Sequence, residues 1–166
     1  MLIQKRDTKK FFEKNLLDFF QKHGRKHLPW RKKNIAAYEV WVSEVMLQQT
    51  QVTRVIGYYK KFLKRFPKIT DLASISWREF LPYYHGMGYY RRGENMLKTA
   101  KIIVTRHKGK FPQTKEGLMS LPGIGEYTAS AILSFARDKN YLAFDTNAQR
   151  VYGRFFYGSK NASVDR

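Results

Sequence analysis

Leu121-Pro122-Gly123-Ile124-Gly125 decides the reading of this chain, because helical patterns run both into it and out of it. Two glycines one residue apart let the backbone take positive φ and approach another chain closely. Ile124 fits as a plug between the two helices, with the backbone N–H groups of Gly123, Gly125 and their neighbours facing outward. Those donors sit at a helix N-terminus, where the dipole favours an anion such as phosphate. The plainer alternative is a helix–helix turn closed by a glycine cap.

Charge supplies the anion's class. Thirty-two Lys and Arg stand against thirteen Asp and Glu, a formal net charge of +19 on 166 residues. Such a balance points to a polyanion, since each basic contact to phosphate releases condensed counterions. A solubility surface, a ribosomal protein and a membrane-surface protein are the competing readings. Charge beside the hairpin favours DNA, held by contacts that position without reading sequence. The chain is 43% hydrophobic and 16% aromatic, enough for a core and far from a disordered composition. It contains no cysteine, so these residues offer no disulfide, cysteine-ligated zinc or iron–sulfur site, and no metal site is expected. The N-terminus lacks the apolar segment of a secretion signal, and no apolar run approaches a membrane span. A cytoplasmic, monomeric protein without a membrane partner is the expectation.

The pattern outside the hairpin is helical too. Asp7 or Thr8 is placed to cap a first helix bearing Phe11, Phe12, Leu16, Phe19 and Phe20. A basic loop with Pro29 and Trp30 leads to a second helix over about 38–51, with Val40, Trp41, Met46 and Leu47 as core candidates. A third starts near Thr53 and ends at Phe66-Pro67. Asp71 starts a short helix, and Ser76 to Glu79 reads as a capping box. Gly86-Met87-Gly88 breaks the chain before a basic helix over about 89–107, and Thr114 caps another short one. Helices over about 126–136 and 147–156 flank the run Tyr141 to Phe144, which suits a strand or an extended link equally. The fold class is all-α without a sheet. The chain stops at Val164-Asp165-Arg166 without a helix cap, which suggests truncation.

With so few acids, two stand out. Asp145 follows the apolar run and precedes the last helix, where a carboxylate caps free N–H groups. Its other reading is a carboxylate facing DNA, stabilising positive charge on a deoxyribose. On the residues taken by themselves, capping leads. Glu44 lies inside the second helix among Val42, Val45 and Met46. If it faces the apolar side it must be paired, protonated or catalytic. If it shares a polar face with Gln48 and Gln51, it is simply solvated.

Leu28-Pro-Trp-Arg31, the run from Val40 through Glu44 and Gln48-Gln49-Thr50 to Val52, Gly86-Met-Gly-Tyr-Tyr90, the hairpin, and Asp145-Thr-Asn147 resemble the A/G-specific adenine DNA glycosylases. These belong to the helix-hairpin-helix base-excision superfamily. The likeness runs from about Phe11 to Tyr157, and it implies removal of adenine mispaired with guanine or 8-oxoguanine in duplex DNA. It implies that Glu44 protonates the adenine leaving group. Asp145 stabilises the oxocarbenium-like sugar, with or without a transient covalent bond, and Tyr127 and Asn147 support the two carboxylates. Trp30 and Arg31 match the loop lining the extruded-base pocket. Gln49, Met87 and Tyr89 match positions that wedge into the duplex, with Gln48 and Thr50 on the same DNA-binding stretch. Gly123, Ile124 and Gly125 supply the phosphate contact.

Glycosylase/lyases of the superfamily carry a Schiff-base lysine where Tyr127 stands, so the resemblance implies a monofunctional enzyme. Ala37 replaces a usual proline, and Thr146 replaces a usual glycine, as in other branches. The family's four iron–sulfur cysteines and its C-terminal domain normally lie beyond the point where this chain stops, making it either a fragment or a minimal variant. The implied division is an N-terminal helix and basic loop over 1–30, and a six-helix barrel domain over 31–144 with the hairpin near 115–136. The start of a second helical domain follows over 145–166. A G:T mismatch thymine glycosylase of the same superfamily and a non-catalytic duplex-binding module are the alternatives.

Overall fold

The second helix, α2 (Ala37–Leu47), is buried from Tyr38 to Met46 on every side, Ser43 and Glu44 included, apart from a half-buried Glu39. A helix apolar nearly all round belongs at the centre of a fold, and the others are arranged about it in a computed structural model. That model describes residues 2–158, with side chains from residue 7 onward. The end of the chain at 164–166 lies outside the described residues.

Packed against α2 are α3 (Val52–Arg65) and α8 (Glu126–Arg137). α8 brings Ala129, Ile132 and Leu133, all fully buried. α5 (Trp77–Tyr84) packs on α3, and α4 (Ile69–Ala73) packs on α6 (Tyr90–His107), while the short α7 (Lys115–Met119) rests on α8. Phe62, Phe66, Phe80 and Tyr84 form a run of edge-to-face and stacked rings through the α3–α5 seam. The described residues contain no strand, and none of their helices is long and apolar enough to cross a membrane.

Capping chemistry sets several boundaries as the sequence implies. Ser76 Oγ accepts from the Glu79 N–H at 3.3 Å, and Glu79 Oε2 accepts from the Ser76 N–H at 2.8 Å. Thr114 Oγ1 accepts from the Gly117 N–H at 3.1 Å. Other boundaries differ. α1 (Leu2–His23) begins before Asp7 and Thr8, which lie inside it rather than capping it. α4 starts at Ile69, and Asp71 caps from within, accepting the Lys68 N–H at 2.8 Å. α2 stops at Leu47 instead of reaching Gln51, because Gln48 leaves helical geometry at ψ 113° and Gln49 turns on to φ 53°. The segment Tyr141 to Phe144 is an extended link.

The two ends of the described chain meet. Phe12 of α1 is buried against Tyr152, Phe155 and Phe156 of α9 (Thr146–Tyr157), with ring centroids 4.7–5.2 Å apart. Phe11, Leu16, Leu17, Phe19 and Phe20 of α1 are exposed instead of joining a core, and Phe12 is the one buried residue among the described side chains of α1. Phe12→Ala should therefore remove about 3 kcal/mol of stability, the usual cost of emptying a buried aromatic site. Chemical denaturation would measure it, and a loss under about 1 kcal/mol would mean the aromatic cluster does not hold α9.

Candidate active site

A cavity of about 970 Å³ opens between the basic loop, α2, the start of α8 and the start of α9. Its lining brings together Trp30, Arg31, Glu44, Gln48, Gln49, Thr50, Tyr127, Asp145 and Asn147, contributed by four separate stretches of chain.

Glu44 reaches this cavity from the buried helix, with 9% of its surface exposed. Its carboxyl is pushed from the ordinary 4.5 up to about 7. Burial is the main cause; a hydrogen bond from the Tyr127 hydroxyl pulls the other way, and the nearby Asp145 charge adds to the rise. The solvated reading of Glu44 is thereby excluded. Tyr127, in the first turn of α8, has its own phenol pKa raised by burial and by the Glu44 and Asp145 charges, so it stays a neutral donor.

Asp145 does cap α9: its Oδ1 accepts from the Ala148 N–H at 2.7 Å. Oδ2 accepts from Asn147 Nδ2 at 3.3 Å, and Asn147 Oδ1 accepts from Arg150 at 3.2 Å. Capping and facing the cavity were weighed as rivals, yet one carboxylate does both. The cap fixes its orientation at the cavity wall.

Trp30 stands edge-on to Tyr59, 5.4 Å between centroids, and the Arg31 guanidinium lies 5.3 Å from the Phe20 ring. Ala37 is the first residue of α2, where alanine is as well placed as proline. Several lining residues were not among the expected site residues, Arg25 and Lys32 of the basic loop and Phe135 of α8 among them. The basic loop was visible as a charge cluster, but nothing in its spacing assigned those two to the cavity.

The hairpin lies outside the cavity. Gly123 takes φ 76°, and a Cβ there would meet the Asn95 side chain at 3.0 Å. Thr99 Oγ1 donates to Pro122 O at 2.8 Å and fastens the turn to α6. Ile124 is buried as a plug, and its N–H is spent on Leu121 O at 3.2 Å, so it is not a free donor. Gly123 and Gly125 are exposed, and no acceptor for their N–H groups occurs among the described residues.

Met87 departs from expectation. It is 4% exposed within the core cluster, so its side chain anchors its loop and is not presented to a duplex. Tyr89 beside it is 63% exposed. The iron–sulfur cluster implied by the resemblance has no thiolate to bind in these 166 residues, and no step below involves it.

A family model described as HhH-GPD superfamily base excision DNA repair protein matches residues 42–165. The chain is 45% identical over 146 residues to an adenine DNA glycosylase of Buchnera aphidicola, covering 87% of this chain and 41% of that protein. It is 42% identical to the human adenine DNA glycosylase, covering 86% of this chain and 28% of that one. The chain thus spans well under half the length of these curated relatives. Among solved structures, a thermostable thymine-DNA glycosylase superposes with a TM-score of 0.85 at 25% identity, over 92% of this chain and 70% of its own. An endonuclease III in complex with DNA superposes at 0.77 with 21% identity, over 93% and 72%, and shares the fold.

Burial of Glu44 carries a stability signature. Its folded pKa lies above the unfolded value, so its contribution is complete below pH 4.5 and is lost as pH rises to about 7. Glu44→Gln should abolish that loss, gaining on the order of 3 kcal/mol relative to wild type between pH 4.5 and 8. Thermal melts of both proteins across that range would test it; parallel curves would place Glu44 in solvent.

Proposed function

The chain belongs to the HhH-GPD superfamily of base excision DNA repair proteins, and from that premise we propose that it hydrolyses adenine from mispairs with guanine or 8-oxoguanine. The observation that carries the proposal is the pair of carboxyls on one cavity, with Glu44 titrating near pH 7 and Asp145 oriented by its helix. The adenine DNA glycosylases to which the chain is similar favour adenine as the base.

An adenine inside the stack is beyond reach of either acid, so the nucleotide turns out of the duplex into the cavity. Glycosidic cleavage then needs two things. Adenine is a poor leaving group until a ring nitrogen gains a proton, and the sugar left behind carries positive charge. Glu44, protonated in a good share of molecules at neutral pH, gives that proton and becomes a carboxylate. As the bond between base and sugar breaks, its electron pair leaves with adenine, and the Asp145 carboxylate faces the oxocarbenium-like carbon. Water adds there, and its proton returns to solvent or to Glu44, giving free adenine and an abasic site. A pair of carboxyls flanking the scissile bond is the arrangement used in glycoside hydrolysis generally.

Tyr127 donates to Glu44 and tempers its rise in pKa, while Asn147 steadies Asp145. A phenol forms no Schiff base, so the reaction ends at the abasic site. Gly123 and Gly125 hold a phosphate, Trp30 and Arg31 line the base pocket, and Gln48, Gln49, Thr50 and Tyr89 contact the duplex beside the gap. We read 31–144 as the barrel domain and 145 onward as the start of a second domain, which α1 joins through Phe12.

Single-turnover incubation with A opposite 8-oxoguanine, A opposite G, and T opposite G, followed by alkali, tests the base. Strand breaks at both adenines and not at thymine are expected; breaks at thymine instead would identify a thymine glycosylase. Binding without any breaks would make the chain a duplex-binding module. Asp145→Asn retains a good cap, so it should fold and bind duplex while releasing adenine on the order of a thousandfold more slowly. Retained activity would remove Asp145 from the mechanism. The rate should also decline above about pH 7 as Glu44 loses its proton, and Glu44→Gln should lose that decline with most of the rate.

A further inference from the structure

Gln49, which lines the cavity, and Tyr89 both hold left-handed backbone, at φ 53° and φ 46°. Such conformations persist when their surroundings over-determine them. One side chain reaches both neighbourhoods. Arg92, in the first turn of α6, donates through Nη1 to Val45 O at 2.9 Å and to Gln48 O. Through Nη2 it donates to Met87 O at 3.0 Å and Gly88 O at 3.4 Å. Its guanidinium lies 5.4 Å from the centre of the Tyr89 ring.

The acceptors belong to two segments separated by some forty residues of chain. Val45 and Gln48 lie at the C-terminal end of α2, where carbonyls lack helical partners and a cation is favoured. Met87 and Gly88 belong to the loop 86–89. That loop is fastened at its other end by Tyr58, whose hydroxyl donates to His85 O at 2.8 Å. Gly86 (φ 89°) leaves room for this, since a Cβ there would lie 2.5 Å from the Tyr58 hydroxyl. The Met87 side chain, sunk in the core, fixes the middle of the loop. A planar fork with donors on both arms suits this position, and the single-point charge of lysine does not.

We propose that Arg92 is a positioning residue that locks the turn 48–50 and the loop 86–89 into one wedge of fixed width. That width, set by the guanidinium between them, spaces Gln49 from Tyr89 and fills the gap left by an extruded base. The wedge role rests on the base-extrusion reading above, whereas the coupling of the two loops does not.

Amide hydrogen exchange on the wild-type chain and on Arg92→Met separates the two. Segments 48–50 and 86–89 should both exchange about tenfold faster or more in the variant, as expected for loss of charge-assisted bonds, with hairpin 121–125 unchanged. Loosening of one segment without the other, or of neither, overturns the coupling whether or not the protein releases adenine. On duplex with A opposite 8-oxoguanine, single-turnover release at saturating enzyme should fall about tenfold or more. The brightening of 2-aminopurine placed at the target position should fall with it, while affinity for undamaged duplex holds within about twofold. Arg92→Lys should recover part of the release rate and little of the joint protection; it takes the same measurements if Arg92→Met does not fold. Unchanged release and brightening in a loosened variant overturn the wedge role. So does a loss of release matched by an equal loss of undamaged-duplex affinity. A wild-type chain that releases no adenine counts against the proposed function, and the exchange result still decides the coupling.

Discussion

The contact of α2 with α8 is what the rest of the molecule depends on. Ala129, at 0% exposure, is a small residue on the buried face of α8, where Ile132 and Leu133 pack with the Val42, Val45 and Met46 of α2 in one core. Small side chains at a helix contact bring the axes near the lower end of the usual 8–10 Å separation. Because α8 begins at the hairpin and α2 carries Glu44, this one contact relates the hairpin turn to the acid in the cavity. Tyr127, two residues past Gly125, sits where it can reach Glu44 because both helices are held by the same core.

Electrostatics follow from that packing. A carboxyl on a helix buried nearly all round is stripped of water, and its neutral form gains. Asp145 lies at the edge of the same cavity with two hydrogen bonds to its carboxylate and a helix terminus behind it. Two residues of one chemical type are thus given different tasks by their surroundings, and each environment is built by backbone that also serves the fold.

The hairpin, the helix order and the caps at Ser76 and Thr114 were legible because they depend on local chemistry: glycine backbone freedom, side-chain caps and apolar spacing. Glu44 was ambiguous for a physical reason. Spacing assigns a face to a half-buried helix, and α2 has no solvated face from Val40 to Met46, so its pattern carries no phase. Asp145 read as a cap or a catalyst because local sequence sees the N-terminus of α9 but not the cavity wall opposite. Met87 matched a wedge motif by position, yet its side chain points into the core; only the fold separates a loop's anchor from its tip. Arg92 left no trace in the sequence, since its acceptors are backbone carbonyls, which every residue possesses.

The meeting of α1 with α9 has a consequence for how the site is spaced. Both helices lie at the ends of the described chain, so two segments, 24–36 and 138–145, run between that pair and the body built on α2 and α8. Each passes the cavity: the first supplies Arg25, Trp30 and Arg31, and the second ends at Asp145. They act as a pair of struts of unequal composition, one basic and one in which the apolar run Tyr141 to Phe144 is bracketed by polar and charged residues. Their lengths bear on how far Asp145 stands from Glu44 across the cavity. An inserted or deleted residue in either strut would therefore alter the reach between the two acids without touching either of them, so that connector length as well as side-chain identity shapes the site.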